Sequence, residues 1–243
     1  MMAIRAVIFD IGDTLWKLDP LPDDLEDRMV AALMLQGGID LATGTRVVRG
    51  AMESARTRAG DGRHREPNIA IELATSARRF GLQVEKPAFE RVADVVGEAD
   101  IARFQPNRRL AAVFERLHAS GLKLGVLSNT WTRGALLRRH LDDLGAGQHL
   151  DSSVYSGDEG IRKPHHDIYR RALERLDVDA GEALFVGDRV REDVIGPMTV
   201  GMRAILTHEY RAEDPGDASP AAVIGELAEI QVVVERLSTA SGE

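Results

Sequence analysis

Short runs of consecutive apolar residues alternate along the chain with longer segments in which apolar residues return every three or four positions. The runs predict buried strands, because strands covered on both faces read as continuous apolar stretches. They lie at residues 4–9, 122–127, 183–186 and 202–206, with a weaker run at 152–155 and a short one at 221–224. Helical spacing occurs at residues 107–119, 131–144 and 167–176. This alternation predicts an α/β fold, a three-layer Rossmann-like parallel sheet with helices on both faces.

The region from residue 18 to residue 104 interrupts this alternation, because it contains helical patterns only. Amphipathic spacing recurs at residues 25–35, 46–59, 69–80 and 89–96, and proline and glycine residues separate these segments. An insert of this length is too long for a loop. We therefore predict that residues 1–17 and 105–243 form the α/β core domain and that residues 18–104 form a second, all-helical domain.

Composition narrows the class of protein. The chain has 243 residues, of which 44% are hydrophobic and 5% aromatic, and its net charge is −8. An acidic chain with few aromatic residues lacks the basic surface that nucleic acids and anionic membranes require. The absence of cysteine excludes thiolate nucleophiles and disulfide scaffolds. No signal peptide or membrane span is evident, so we expect a soluble cytoplasmic protein, monomeric or homodimeric, without nucleic-acid or membrane partners.

Polar motifs lie at or near the ends of the predicted strands, where ligands bind in α/β folds. Asp10 follows the first strand, Ser128 follows the second, Lys163 precedes a proline and a helix, and Asp188 follows a later strand with Asp193 nearby. Taken singly, these residues have ordinary explanations as turn residues, helix N-caps or a solvated lysine. Together they predict one site, because converging carboxylates repel unless a cation offsets them. Clustered oxygens without thiols suit Mg²⁺.

The four motifs resemble those of one known family. The segments FDIGDTL, LSNT, SGDEGIRKPHHDIY and FVGDRVREDVIG are similar, in this order, to the motifs of the haloacid dehalogenase superfamily. Most members of that superfamily are Mg²⁺-dependent phosphatases. The resemblance spans nearly the whole chain, and it implies that the inserted helices form a cap domain.

The resemblance also implies roles for individual residues. Asp10 would be the nucleophile that forms an aspartyl-phosphate, and Ser128 and Lys163 would hold the phosphoryl group, with Asn129 as a further substrate-binding residue. The Mg²⁺ ligands that it implies are Asp10, the backbone carbonyl of Gly12, Asp188 and Asp193. The expected activity is Mg²⁺-dependent hydrolysis of a small phosphorylated metabolite.

One position departs from the family pattern. The phosphatases place a second Asp two residues after the nucleophile, where this chain has Gly12, and Asp13 in the next position is expected to point elsewhere. Loss of a general acid–base typically lowers the rate about 10²–10⁴-fold. Three alternatives remain: the substrate has a good leaving group, the cap supplies the group with His64 as first candidate, or the protein binds phosphorylated ligands with little turnover.

A haloacid dehalogenase is a further alternative, because dehalogenases of the family also lack that second Asp. They do not need Mg²⁺, and their fourth motif differs from the pair formed by Asp188 and Asp193. This pair therefore favours phosphoryl chemistry.

Overall fold

The structure is a computed structural model that describes residues 3–239; the ends of the predicted core ranges, residues 1–2 and 240–243, lie outside the described residues. In chain order the principal elements are β1 (Ala6–Phe9), β2 (Trp16–Leu18), α1 (Leu25–Gly37), α2 (Leu41–Gly60), α3 (Ile69–Arg79), α4 (Lys86–Ala102), β3 (Phe104–Pro106), α5 (Leu110–Ala119), β4 (Lys123–Ser128), α6 (Gly134–Asp143), β5 (Ser152–Tyr155), α7 (Ser156–Glu159), α8 (His166–Leu176), β6 (Ala183–Gly187), α9 (Gly196–Met198), β7 (Arg203–Thr207), β8 (Ala222–Ile224) and α10 (Ile230–Thr239).

A six-stranded sheet with the order β5-β4-β1-β6-β7-β8 forms the core. Its neighbouring strands all pair in parallel. Alternate residues of β1 bury opposite faces: Val7 and Phe9 pack in the cluster that contains α5, α6 and α10, whereas Ala6 and Ile8 pack in the cluster that contains α8. Because both faces are covered, every residue of β1 is buried. The predicted α/β fold with helices on both faces of a parallel sheet is confirmed.

The helices α1–α4 form a separate hydrophobic cluster. Its fully buried members include Met29 from α1, Val47 from α2, Leu73 from α3 and Val92 from α4. These helices overlap the four segments of the insert in which the sequence predicts helical spacing. The division into a core domain and a helical domain at residues 18–104 stays a prediction.

A two-stranded antiparallel ribbon joins the α/β core to these helices. The strands β2 and β3 lie just before and just after the helical insert, and Trp16 pairs with Pro106 in register. The Trp16 ring stacks on Phe104 with 4.6 Å between ring centroids. The sequence patterns do not predict this ribbon, because strands of three residues are too short for a periodic signal.

The sheet brings the carboxyl ends of its central strands together. Asp10 follows β1, Ser128 is the last residue of β4, and Asp188 follows β6, and these three strands are neighbours in the sheet. Among residues 3–239, no helix combines the length and the apolarity that crossing a bilayer requires.

Candidate active site

A buried lysine lies at the centre of the site. Lys163 is 3% exposed, and its Nζ donates hydrogen bonds to Oδ1 of Asp10 at 2.7 Å and to Oδ1 of Asp193 at 2.6 Å. Burial lowers the pKa of the Lys163 amine, but the charges of Asp10 and Asp193 outweigh burial, and the net effect raises this pKa. Lys163 is therefore a permanent cation between two carboxylates at neutral pH.

The loop that carries Lys163 is held by Asn129, which follows β4. The Lys163 backbone N–H donates to Oδ1 of Asn129 at 2.8 Å, and Nδ2 of Asn129 donates to the Lys163 carbonyl at 3.0 Å. The Asn129 side chain thus holds the backbone of the lysine loop from both sides. Asn129 and Ser128 both line the cavity described below, and their predicted contact with substrate stays a prediction.

The carboxylates of Asp10, Asp188 and Asp193 converge as the sequence predicts. One oxygen from each lies within 4.8 Å of the others. Asp193 reaches the site from a π-helical turn, and its Oδ2 accepts a hydrogen bond at 3.0 Å from the backbone N–H of Arg189. Gly187 makes this approach possible, because a Cβ at that position would lie 2.3 Å from Cγ of Asp193.

The electrostatics of this cluster favour a bound cation. Burial raises the pKa of both Asp188 and Asp193, and the charge of Asp10 adds to the effect at each. Oδ1 of Asp188 is buried and has no hydrogen-bond partner among the described residues. A buried carboxylate oxygen without a donor beside two further carboxylates is the donor set that a hard divalent cation prefers. The residues present therefore fit Mg²⁺.

The site opens into a cavity of about 340 Å³ between the sheet edge and the helical insert. Asp10, Ser128 and Lys163 line its floor, and Leu18, Phe104 and other apolar residues line its walls. Cavities of this size suit small ligands.

Gly12 lines the cavity, and the space beside it is filled. A Cβ at Gly12 would lie 2.6 Å from Cδ1 of Leu18, so the Leu18 side chain occupies the place of the missing Asp side chain. The next residue, Asp13, has a positive φ of 54° and accepts a hydrogen bond at 3.0 Å from the Leu18 N–H. It is not among the described residues that line the cavity, in agreement with the expectation that it points elsewhere.

His64, the candidate that the sequence favours as a cap-derived acid or base, is not among the described residues that line the cavity either. Burial, with the positive charges of Arg191, His165 and Arg162, lowers the pKa of the His64 imidazole. A neutral imidazole is a poor proton donor at neutral pH. His64 instead contributes its carbonyl, which accepts a hydrogen bond from the Arg162 N–H at 2.9 Å.

Two residues of the site are missed by sequence reasoning. Arg211 follows β7, and its Nη1 donates to Oδ2 of Asp188 at 2.9 Å. Glu66 lies in the loop between α2 and α3, is 7% exposed and lines the cavity. Both come from irregular loops and reach the site through contacts distant in sequence, so no spacing in the chain identifies them.

These features define an α/β protein with a lysine-paired carboxylate and an oxygen-rich cation site at the end of its central strands. The model of the haloacid dehalogenase-like hydrolase family matches residues 4–197. The chain belongs to this family and is a hydrolase.

Named relatives share much of the chain. It is 24% identical over 213 residues, 87% of each chain, to a glyceraldehyde 3-phosphate phosphatase of Methanopyrus kandleri. It is 32% identical over 186 residues to a phosphoserine phosphatase of Thermus thermophilus, and that match covers 76% of this chain but only 62% of the relative. Among solved structures, a 2-haloacid dehalogenase of Pseudomonas syringae pv. Tomato DC3000 is similar, with a TM-score of 0.67, 23% identity, and coverage of 96% of this chain and 99% of that one. At this identity the structural similarity shows the fold alone.

Proposed function

We propose that this protein is a Mg²⁺-dependent phosphatase that hydrolyses a small phosphorylated metabolite through an aspartyl-phosphate on Asp10. The observation that carries the proposal is the arrangement of Lys163 between Asp10 and Asp193, beside the unpartnered Oδ1 of Asp188. A cluster of this kind offers a carboxylate nucleophile and a cation site within one cavity. The relatives named as phosphatases support the same activity.

The residues of the site would divide the work of phosphoryl transfer. Within the described residues no hydrogen bond reaches Oδ2 of Asp10, so this oxygen is free to attack phosphorus while Oδ1 stays on Lys163. Lys163 and the Ser128 hydroxyl would hold the phosphoryl oxygens at the floor of the cavity. Asp10, the Gly12 carbonyl, Asp188 and Asp193 would hold Mg²⁺. When bound, Mg²⁺ offsets the negative charge of the transferring phosphoryl group.

The helical insert, residues 18–104, would act as a cap that covers the cavity. Residues from both sides line this space: Leu21, Val96 and Asp100 come from the insert, and Ser128 and Lys163 from the sheet edge. A cover of this kind excludes water from the reacting groups and forms the walls that select the substrate. The cytoplasm remains the location that we propose from the sequence.

Turnover of p-nitrophenyl phosphate with Mg²⁺ tests this function. We expect the wild-type protein to release p-nitrophenol, Asp10→Asn to fall to the background rate, and EDTA to abolish turnover. Asp13→Asn is the matched control: it also removes a carboxylate, but one outside the cavity, and asparagine tolerates the positive φ at this position.

Equal background rates for wild type and Asp10→Asn would reject the enzyme and favour a protein that binds phosphorylated ligands without turnover. Halide release from a 2-haloacid in the presence of EDTA would favour the dehalogenase alternative, which the glycine at position 12 keeps open.

A further inference from the structure

Hydrolysis of an alkyl phosphate ester needs a group that protonates the leaving oxygen, and neither position 12 nor position 13 offers one. Position 12 is a glycine packed against Leu18, and the Asp13 carboxylate is bonded to the Leu18 N–H. The proton must therefore come from another titratable group that lines the cavity.

Among the described residues that line the cavity, most titratable groups are already committed. Asp10 is the proposed nucleophile, and Lys163 is bound to it. The Asp100 carboxylate forms a salt bridge with Arg103 at 2.7 Å and accepts a hydrogen bond from the Thr132 hydroxyl at 2.8 Å, so both of its oxygens are engaged. The guanidinium groups of the cavity keep their protons at all accessible pH values.

Two carboxyl groups then remain, those of Glu192 and Glu66. Glu192 directly precedes Asp193, in the π-helical turn of the proposed cation site. Glu66 lies in the loop between α2 and α3, and its side chain is 1% exposed. Of the two, only Glu66 is buried away from the cation site.

The contacts of Glu66 orient its carboxyl group firmly. Oε1 accepts a hydrogen bond from Nε1 of Trp131 at 2.8 Å, and Oε2 is bonded to the Ser156 hydroxyl. Arg162 forms a salt bridge with the same carboxyl group, and its Nη1 lies 3.5 Å from Oε1. Burial raises the pKa of the Glu66 carboxyl and outweighs the opposing effects of Arg162 and of the two hydrogen bonds.

The Ser156 hydroxyl can satisfy both protonation states of Glu66. When Glu66 is ionised, this hydroxyl donates to Oε2; when Glu66 is protonated, Oε2 donates to Oγ of Ser156, which turns its own proton to the Thr130 carbonyl at 3.3 Å. The Thr130 N–H donates to the same Oγ at 2.8 Å in either case. Glu66 can therefore gain or lose a proton without leaving a buried polar atom unpaired, which a group that cycles between the two states requires.

We propose that Glu66 is the general acid and base of this enzyme, in place of the carboxylate absent from position 12. The proposal rests on the proposed phosphatase function. In the first step Oδ2 of Asp10 forms a bond to phosphorus and the bond from phosphorus to the ester oxygen breaks. The Oε2 proton of Glu66 turns from Ser156 to the departing alkoxide, and the Ser156 hydroxyl then donates to the ionised Oε2. In the second step Glu66 takes a proton from water as the water oxygen attacks phosphorus, and inorganic phosphate leaves Asp10.

The isosteric variant Glu66→Gln tests this assignment with two classes of substrate. Glycerol 3-phosphate has a poor leaving group that needs a proton, whereas p-nitrophenolate leaves without one. We expect kcat/KM for glycerol 3-phosphate to fall about 10²–10⁴-fold, and kcat/KM for p-nitrophenyl phosphate to fall less than about tenfold. Because the second step loses its base, kcat for the aryl substrate should also fall, with a burst of p-nitrophenol equal to the enzyme concentration.

The pH profile supplies a readout that a structural role would not produce. The acid must be protonated in the free enzyme, so kcat/KM of the wild type for glycerol 3-phosphate should decrease as pH rises through the pKa of Glu66. This basic limb should disappear in Glu66→Gln. Ser156→Ala keeps the Glu66 carboxyl group but removes its hydroxyl partner. It should move the basic limb of the pH profile to a different pH and not abolish it.

The outcomes separate failure of this assignment from failure of the proposed function. If the wild type turns over neither substrate, the phosphatase function fails. If Glu66→Gln lowers kcat/KM by the same factor for both substrates, the phosphatase function stands and Glu66 is not its acid. The same conclusion follows if the variant keeps the wild-type kcat/KM for glycerol 3-phosphate together with the basic limb of its pH profile.

Discussion

Removal of the Lys163 amine should greatly lower the free energy of unfolding of this protein. Lys163 touches two carboxylates at 2.7 and 2.6 Å, and all three side chains are nearly or completely buried. In Lys163→Met, a change that keeps the length of the side chain, Asp10 and Asp193 would stay buried without their cation, and Asp188 would still lie beside them. Breaking a buried ion pair by deleting one partner typically destabilises a protein by about 3–5 kcal/mol.

The pH of the measurement follows from the direction of the pKa shift. A raised pKa in the folded state means that Lys163 stabilises fully below its unfolded pKa, and that this contribution is lost only as pH rises through the folded value. The full effect is therefore present at pH 8. Urea unfolding at pH 8 in EDTA should show the loss of about 3–5 kcal/mol, which corresponds to a decrease of about 6–20 °C in Tm for a chain of this size.

A second substitution separates electrostatics from packing. Asp10→Asn removes one of the two carboxylates that lose their cation in Lys163→Met. The double variant Lys163→Met/Asp10→Asn should therefore be more stable than Lys163→Met alone. We expect a coupling energy of about 1–3 kcal/mol between the two positions. If Lys163→Met unfolds within about 1 kcal/mol of the wild type, or if Asp10→Asn fails to restore stability to it, the buried charge pairing is not what holds this site together.

Two further predictions concern the cation and position 12. Mg²⁺ added to EDTA-treated protein should raise the free energy of unfolding by about 2.7 kcal/mol at a hundredfold excess over Kd. Asp188→Asn should lose most of this gain in thermal unfolding while Asp13→Asn keeps it; an equal gain in Asp188→Asn would place the ion elsewhere. In the Glu66→Gln background we add Gly12→Asp together with Leu18→Ala, which clears the contact at 2.6 Å. The added Asp should raise the steady-state rate of alkyl phosphate turnover about tenfold or more above that of Glu66→Gln alone. Unchanged steady-state turnover would show that position 12 does not face the leaving group.

The sheet is predictable because its strands carry a local signal. Both faces are covered, so strands such as β1 and β6 are apolar throughout, and a run of four or five such residues stands out in the sequence. The residues that follow these strands share one edge for geometric reasons, which is why the order of motifs along the chain suffices to group Asp10, Asp188 and Ser128 in one site. Helix boundaries are less certain: α4 begins at Lys86, before the predicted start at residue 89, because Pro87 fits the first turn of a helix.

The rest of the site depends on contacts that no local pattern records. Arg211 reaches Asp188 from a loop after β7, and Glu66 reaches Ser156 across a sequence separation of 90 residues. The sequence singles out His64 as the candidate from the cap, yet Glu66, two residues further on, is the one that lines the cavity. Whether a loop residue points inward depends on the packing of the loop, and the amino-acid type alone does not reveal it.

The anchoring of Glu66 explains how an acid can come from the helical insert and still be held in place. The backbone N–H of Glu66 donates to the Gly160 carbonyl at 3.1 Å, and the Arg162 N–H donates to the His64 carbonyl at 2.9 Å. These bonds fasten the loop between α2 and α3 to the segment that carries Lys163. The side-chain partners of Glu66, Trp131 and Ser156, follow the strands β4 and β5. The proposed acid is therefore positioned by the same loop as the proposed phosphate-binding lysine, so a rearrangement that detaches this loop would remove the proton donor from the cavity.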